Sequence, residues 1–313
     1  MSTTLVLGGA GFIGSNLTPA LLRSGRNVRV FARAGSDLSR LQPYRDDIDL
    51  RLGDFANEWA LADAVTGVDE VIHLISTTVP SSPNNSVYYD VFSNLVPSAR
   101  LIENCHRSGV QRLVFTSSGG TVYGEAEQLP IPEDHPRRPV SEYGLGKQMI
   151  EDVISHASRK HDLRSTILRV SNPYGEGQDP KGGQGIVAVA FGCALSGRPF
   201  VLRGDGTTVR DYLHIDDVVD AIVAGLKVEG DLIANVASGE GVSVNDMLAN
   251  ISKITGREIT IDRHPQLTND VQSNVLDNSR AREALSWNPS VGLSDGLART
   301  WDWIEKTHPR EPS

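Results

Sequence analysis

The chain has 313 residues, 30 Lys+Arg against 39 Asp+Glu, a formal net charge of −9 at pH 7, 39% hydrophobic and 6% aromatic residues. At roughly 100–200 residues per domain, that length predicts two domains or one large core with an appended lobe. The acidic balance, without a basic stripe, argues against a nucleic-acid binder, and no stretch reaches the ~20 apolar residues of a membrane span. Met1 leads through Ser2, Thr3 and Thr4 into an apolar run with no basic leader, and two cysteines, Cys105 and Cys193, make neither a disulfide framework nor a zinc site. A cytoplasmic location is expected.

In chain order, apolar runs at 5–7, 28–31, 50–52, 71–74, 113–115 and 166–170 alternate with longer amphipathic stretches. Such near-continuous apolar runs suit parallel strands buried on both faces. Helices are expected over 13–24, 59–65 and 93–108, with glycines closing them at 25, 67 and 109. This alternation predicts an α/β fold: a Rossmann-type doubly wound parallel sheet with right-handed crossovers and a smaller C-terminal substrate lobe. From Ser171 onward the texture turns Gly/Pro-rich, interrupted by a helical stretch at 215–226. The expected partition is 1–170 plus 209–237 for the sheet domain, and 171–208 plus 238–313 for the lobe.

Directly after the first run stands Gly8-Gly9-Ala10-Gly11-Phe12-Ile13-Gly14. Gly8 permits a tight turn, Gly11 lets backbone approach a pyrophosphate, and Gly14 lets helix and strand pack closely, with the helix amides from Phe12 and Ile13 facing the diphosphate. The spacing is Gly-x-x-Gly-x-x-Gly, and its place between strand and helix points to a dinucleotide. The second run ends Phe31-Ala32-Arg33, without the carboxylate that binds a ribose 2′-hydroxyl and repels a 2′-phosphate. Arg33 suits a 2′-phosphate or an adenine face. NAD is the expected cofactor, with NADP still open. Asp54 and Phe55, after the third run, are placed at the adenine, although Asp54 also reads as a turn residue.

Tyr143 and Lys147 stand at i and i+4, on one helical face. A neighbouring ammonium and a cationic nicotinamide both favour a phenolate, so Tyr143 is a candidate base. The run 113–115 continues into Thr116-Ser117-Ser118, which brings hydroxyls to the strand end where ligands of such sheets bind.

With Tyr123-Gly124, these residues resemble the extended short-chain dehydrogenase/reductase family. Arg169-Val170-Ser171-Asn172-Pro173-Tyr174-Gly175, Val209-Arg210-Asp211-Tyr212-Leu213-His214 and Ser286-Trp287-Asn288-Pro289 are similar to its nucleotide-sugar branch, above all to UDP-glucose (UDP-galactose) 4-epimerases. The resemblance spans about residues 3 to 305. It implies reversible inversion at C4 of a nucleotide-bound hexose through a transient 4-keto sugar, with the cofactor regenerated. Tyr143 is then the proton-transferring base, Lys147 holds the cofactor ribose and lowers the tyrosine pKa, and Ser118 bonds the reacting oxygen. Leu74, Ile75, Ser76 and Ser117 line the cofactor, and Asn94 orients the catalytic region. Asn172 and Arg210 bind the substrate diphosphate, while Asp270 and Asn274 belong to a sugar-side segment in which Asn274 is the gate. The family also implies a homodimer, formed through 93–108 and the helix carrying Tyr143.

The chain departs from the pattern in two places besides the missing carboxylate at Ala32-Arg33. Between strand and Tyr123-Gly124 it is one residue longer, so anchoring on the strand selects Ser118, whereas anchoring on Tyr123 selects Gly119; Ser117 is the fallback. The position of the usual phosphate arginine is Leu267. Gly119-Gly120 stands where a 4,6-dehydratase needs its Asp-Glu acid/base pair, which disfavours elimination. An NADPH-dependent keto-sugar reductase remains an alternative, as does, at a distance, a non-catalytic dinucleotide sensor. His214 with Asp216 and Asp217 reads as helix capping rather than a metal cluster.

Overall fold

The computed structural model describes residues 2–79, 86–266 and 270–308. Seven strands form one parallel sheet in the order β3-β2-β1-β4-β5-β6-β10: β1 Thr3–Leu7, β2 Asn27–Ala32, β3 Ile48–Leu52, β4 Glu70–His73, β5 Arg112–Ser118, β6 Arg164–Val170 and β10 Leu232–Val236. The order reverses between β1 and β4, and their carboxyl ends, Leu7 beside His73, mark the switch point where ligands of doubly wound sheets bind. β5 outruns its apolar stretch because Thr116, Ser117 and Ser118 stay in the ladder, paired with Leu168, Arg169 and Val170.

Helices cover both faces. α1 (Phe12–Arg23) and α7 (Ile215–Gly225) lie on one, sealing Leu17, Leu21, Val218 and Ile222 against Val6 and Val114. On the other, α2 (Glu58–Val65), α4 (Val96–Arg107) and α5 (Glu142–Lys160) bury Leu61, Leu101, Ile150 and Ile154 against Leu5 and Phe115. The helix expected from residue 93 starts earlier. α3 (Val87–Asp90) passes through a π-helical turn, Val91–Leu95, into α4. Pro97 offers no N–H to the Ser93 carbonyl, so the regular ladder is interrupted just where the helix widens.

The lobe holds a small sheet of β7 (Asn172–Tyr174), β9 (Val209–His214), β11 (Gly241–Ser243) and β13 (Ser273–Asn274), with β8 (Phe200–Arg203) and β12 (Ile261–His264) paired beside it. α6 (Ile186–Ser196), α8 (Val244–Thr255) and α10 (Leu293–Thr307) share its core, around Phe191, Met247 and Trp301. The return to the sheet domain was expected at residue 209, but β9 pairs with β7, β11 and β13, so the chain re-enters only with α7. α9 (Ser279–Leu285) crosses back as well: Ala281, Leu285 and Trp287 join the core under α7. Among the described residues no helix is long and apolar enough to cross a membrane.

Candidate active site at the carboxyl edge of the large sheet

The glycine turn has the shape its spacing predicts. Gly8 sits at φ +85°, and any Cβ on Gly14 would collide with the Gly8 carbonyl, so β1 and α1 meet as closely as backbone allows. Gly11 caps α1 without a side-chain hydrogen bond, and no acidic residue occupies the first turn. The amides of that turn are therefore left for an anionic ligand, which is what a dinucleotide diphosphate requires. Ile75 rests against Gly8, and Leu74 hangs from the Leu7 carbonyl, so both border the turn; Ser76 turns its hydroxyl to the Thr78 carbonyl. Arg33 is exposed at the end of β2, its guanidinium without a partner among the described residues. Asp54 is a turn residue, accepting from the Ala56 amide. The Phe55 side chain is 4% exposed and packs on His73 at 5.2 Å inside the core.

Ser141 caps α5, accepting from the Gly144 amide, and this sets Tyr143 and Lys147 in the first two turns facing β5. Ser118 is near enough to the Tyr143 phenol to oppose the rise that burial imposes on it. Ser117, the alternative hydroxyl, points away: it is buried and donates to Glu151, which Arg169 also clamps. Strand alternation separates the two serines, one facing the cleft and the other the α5 layer. The Ser117 hydroxyl is thus not the catalytic one.

Lys147 donates to the Thr116 carbonyl at 3.0 Å, with its ammonium 5.7 Å from the Tyr143 ring centre. Burial holds it down at about 8, against the raising effect of Asp90 and Glu151. Burial lifts Tyr143 to about 12, opposed by the Ser118 contact and reinforced by Asp90. Asn94 is buried, its Oδ1 accepting from the Thr77 amide and its Nδ2 donating to Asp90. Asp90 escaped the sequence reading; its only signal was its place four residues before Asn94.

On the lobe side, Asn172 donates to the Asp211 carbonyl at 2.8 Å, while its Oδ1 and the Ser118 hydroxyl both look onto Gly120, 3.8 and 4.0 Å from where a Cβ would stand. A Cβ at Gly119 would press on the Leu276 side chain and approach the Arg169 carbonyl. Asn274 is 1% exposed, donates to the Gly119 carbonyl at 3.0 Å and keeps Oδ1 buried without a partner. Arg210 and Asp270, expected as two substrate contacts, hold each other at 2.5 Å. Leu267 lies outside the described residues. His214 caps α7 through the Asp216 amide, and no group that could hold a metal ion occurs among the described residues. A cavity of about 430 Å³ opens between the loop before α6 and β8, bordered by Lys181, Arg198 and Phe200, none of them foreseen.

The model of the NAD dependent epimerase/dehydratase family matches residues 4–237. A UDP-glucose 4-epimerase of Mycolicibacterium smegmatis is 35% identical over 312 residues, covering 96% of this chain and 98% of that protein. The solved UDP-glucose 4-epimerase of Thermotoga maritima, with UDP-glucose, superposes with a TM-score of 0.92 at 31% identity, covering 97% of this chain and 99% of its own. That of Thermus thermophilus, in complex with NAD, gives 0.90 at 30% identity with the same coverage. The uncapped glycine turn and the Ser118–Tyr143–Lys147 edge thus sit on a backbone shared from end to end, and the chain belongs to the NAD dependent epimerase/dehydratase family.

Proposed function

We propose that this protein interconverts C4 epimers of a UDP-hexose of the UDP-glucose/UDP-galactose type, using NAD that is regenerated in each turnover. The observation that carries it is Ser118 beside Tyr143, with Lys147 one turn further and Gly119-Gly120, without a carboxylate, where a dehydratase needs its acids. The amides opening α1 would hold the diphosphate of NAD, and Lys147 its ribose; bound NAD supplies the hydride acceptor and donor, and a positive charge that favours the phenolate. Tyr143 then takes the C4 hydroxyl proton and later returns it, while Ser118 orients the sugar oxygen. Tyr143 starts as a phenol, held near 12, so it needs that added charge to act near neutrality.

Asn172 and Arg210 are assigned to the substrate diphosphate, and the cavity beside Lys181, Arg198 and Phe200 to its nucleoside end, since it offers cations and an aromatic face together. Asp270 holds Arg210, and Asn274 borders the sugar. The protein works in the cytoplasm as a homodimer. The apolar residues of those two segments, Leu101, Ile102, Ile150 and Ile154, are buried within the domain, and Leu95 and Val153 pack on the same core. Tyr88, Tyr89 and Phe92 are exposed on the adjoining turns instead, and they supply the apolar face. Light scattering at twice 33.8 kDa supports the dimer, and a concentration-independent 33.8 kDa species refutes it.

The direct test incubates the purified protein with UDP-galactose and no added cofactor. Appearance of UDP-glucose to an equilibrium mixture, without net NADH, is expected; no interconversion of any UDP-hexose sinks the reading. The unpaired Arg33 favours a second one, an NADPH-dependent keto-sugar reductase, which a tenfold or greater preference for NADP would promote.

A further inference from the structure

Asp90 is a carboxylate that the mechanism above does not use, and it is 3% exposed. It closes α3, where the π-helical turn begins. Its Oδ1 accepts from the Thr78 hydroxyl at 2.5 Å and from the Asn94 amide at 2.9 Å. Its Oδ2 is lodged against α5 at Gly146, where any Cβ would collide with it. Gly146 immediately precedes Lys147, so a missing side chain lets the carboxylate reach the helix between phenol and ammonium. Asp90, Asn94, Tyr143 and Lys147 border one narrow crevice with Ile75 and Ser76.

Other charges face Lys147, and each is accounted for. Glu151, one turn further on α5, is saturated by Arg169, Arg137 and Ser117. His73, from β4, is neutral near pH 7, driven to about 3 by burial and by Lys147 itself. Tyr143 is a phenol in that range. Asp90 is bound only by neutral donors among its described contacts, Thr78 and Asn94, so its negative charge acts across the crevice undiminished by an arginine.

Building on the assignment of Lys147 to the cofactor ribose, we propose that Asp90 is a positioning residue. Docked in the gap at Gly146, it keeps the buried Lys147 an ammonium, able to make charge-assisted bonds to that ribose. Burial already brings Lys147 to about 8, and Asp90 is the charge that opposes that fall most. The same charge lifts Tyr143, so the device gains a firm cofactor anchor at the expense of a more basic phenol.

The test measures NAD dissociation constants from pH 6 to 10 for the wild type, Asp90→Asn, Gly146→Ala and Lys147→Arg. Wild-type affinity is expected to fall as pH rises through about 8, because Lys147 loses its proton. Asp90→Asn removes the charge that favours the ammonium, so the midpoint moves down by about one pH unit or more. Gly146→Ala displaces the carboxylate and moves it the same way; should Asp90→Asn fail to fold, this variant carries the test. Lys147→Arg stays charged and abolishes the midpoint. A midpoint unchanged in both Asp90→Asn and Gly146→Ala overturns the proposal. Since binding is read, failure to turn over UDP-galactose sinks the epimerase reading without touching this one.

Discussion

The cleft is built from two sides by different means. On the sheet side every group is fixed before a ligand arrives: Ser118 by the β5–β6 ladder, Tyr143 by the capped start of α5, Asn94 by the Thr77 amide and Asp90. On the lobe side, Arg210 is held by an Asp270 whose side chain is 40% exposed, and Asn172 leans on a backbone carbonyl. Catalysis gains from preorganised groups whose charges need not move in the transition state. A lobe that must admit and release a large anion gains from partners a phosphate can replace. Chemistry is therefore assigned to the rigid edge and substrate identity to the exchangeable one.

The largest effect that would break this contrast concerns the base. Tyr143→Phe is expected to lower kcat by about 10²–10⁴-fold, the usual worth of general acid–base catalysis, while NAD affinity stays near wild type because Lys147 is untouched. Wild-type turnover by that variant would remove Tyr143 from the mechanism. The serines come next. Ser118→Ala should lose activity to a smaller extent at unchanged stability, since its hydroxyl faces the cleft. Ser117→Ala should keep kcat and lose about 1.5–3 kcal/mol in urea unfolding, the range for a hydrogen bond to a charged group. Exchanged outcomes would reverse the assignment that Ser117 serves Glu151.

Much of the sheet side was legible because its signals are local. Apolar runs gave six strands within a few residues, and Gly8, Gly11, Gly14, Tyr143 and Lys147 act at spacings that one turn or one helix enforces. The choice between Ser118 and Gly119 needed the pairing of Ser118 with Val170, which the hydroxyl-rich run hides. Asp90 was missed because its partners, Thr78 and Gly146, lie on other elements and a lone aspartate after two tyrosines carries no pattern. The lobe was harder. Arg210 has acidic neighbours in sequence, Asp211 and Asp216, yet β13 beside β9 delivers Asp270 from 60 positions away. Meanwhile Asp211 is spent on Ser238 and Gly239, and Asp216 pairs with Arg299. Such non-local pairing leaves no periodicity to read.

That pair offers a test with two opposite signs. Arg210→Ala is expected to raise the KM for the UDP-sugar by tenfold or so, a typical loss for one charge-assisted phosphate contact, with kcat little changed. Asp270→Ala frees the guanidinium and should leave KM unchanged or lower it. Initial rates over a range of UDP-galactose concentrations separate the two. If Asp270→Ala raises KM as Arg210→Ala does, the ion pair belongs to the assembled site and is not displaced by substrate.

The smallest expected effect sharpens the contrast, because it falls where the two sides meet. Asn274 comes from the lobe, yet it is buried and tied to Gly119 on the sheet side. Its unpartnered Oδ1 is an acceptor beside the sugar position, suited to a hydroxyl or an acetamido N–H. The proposed enzyme should then prefer the UDP-glucose/UDP-galactose pair and turn over the N-acetylated pair more slowly, the amide taking up part of the room that group needs. Asn274→Ala removes the amide and opens that space, so the ratio of N-acetylated to plain turnover should rise severalfold. The KM of the plain pair should move little, since no phosphate contact is lost. Relative kcat/KM for the two pairs measures this directly. An equal change in both, or none in either, would mean that Asn274 only braces the Gly119 turn, and that the sugar is selected elsewhere in the lobe.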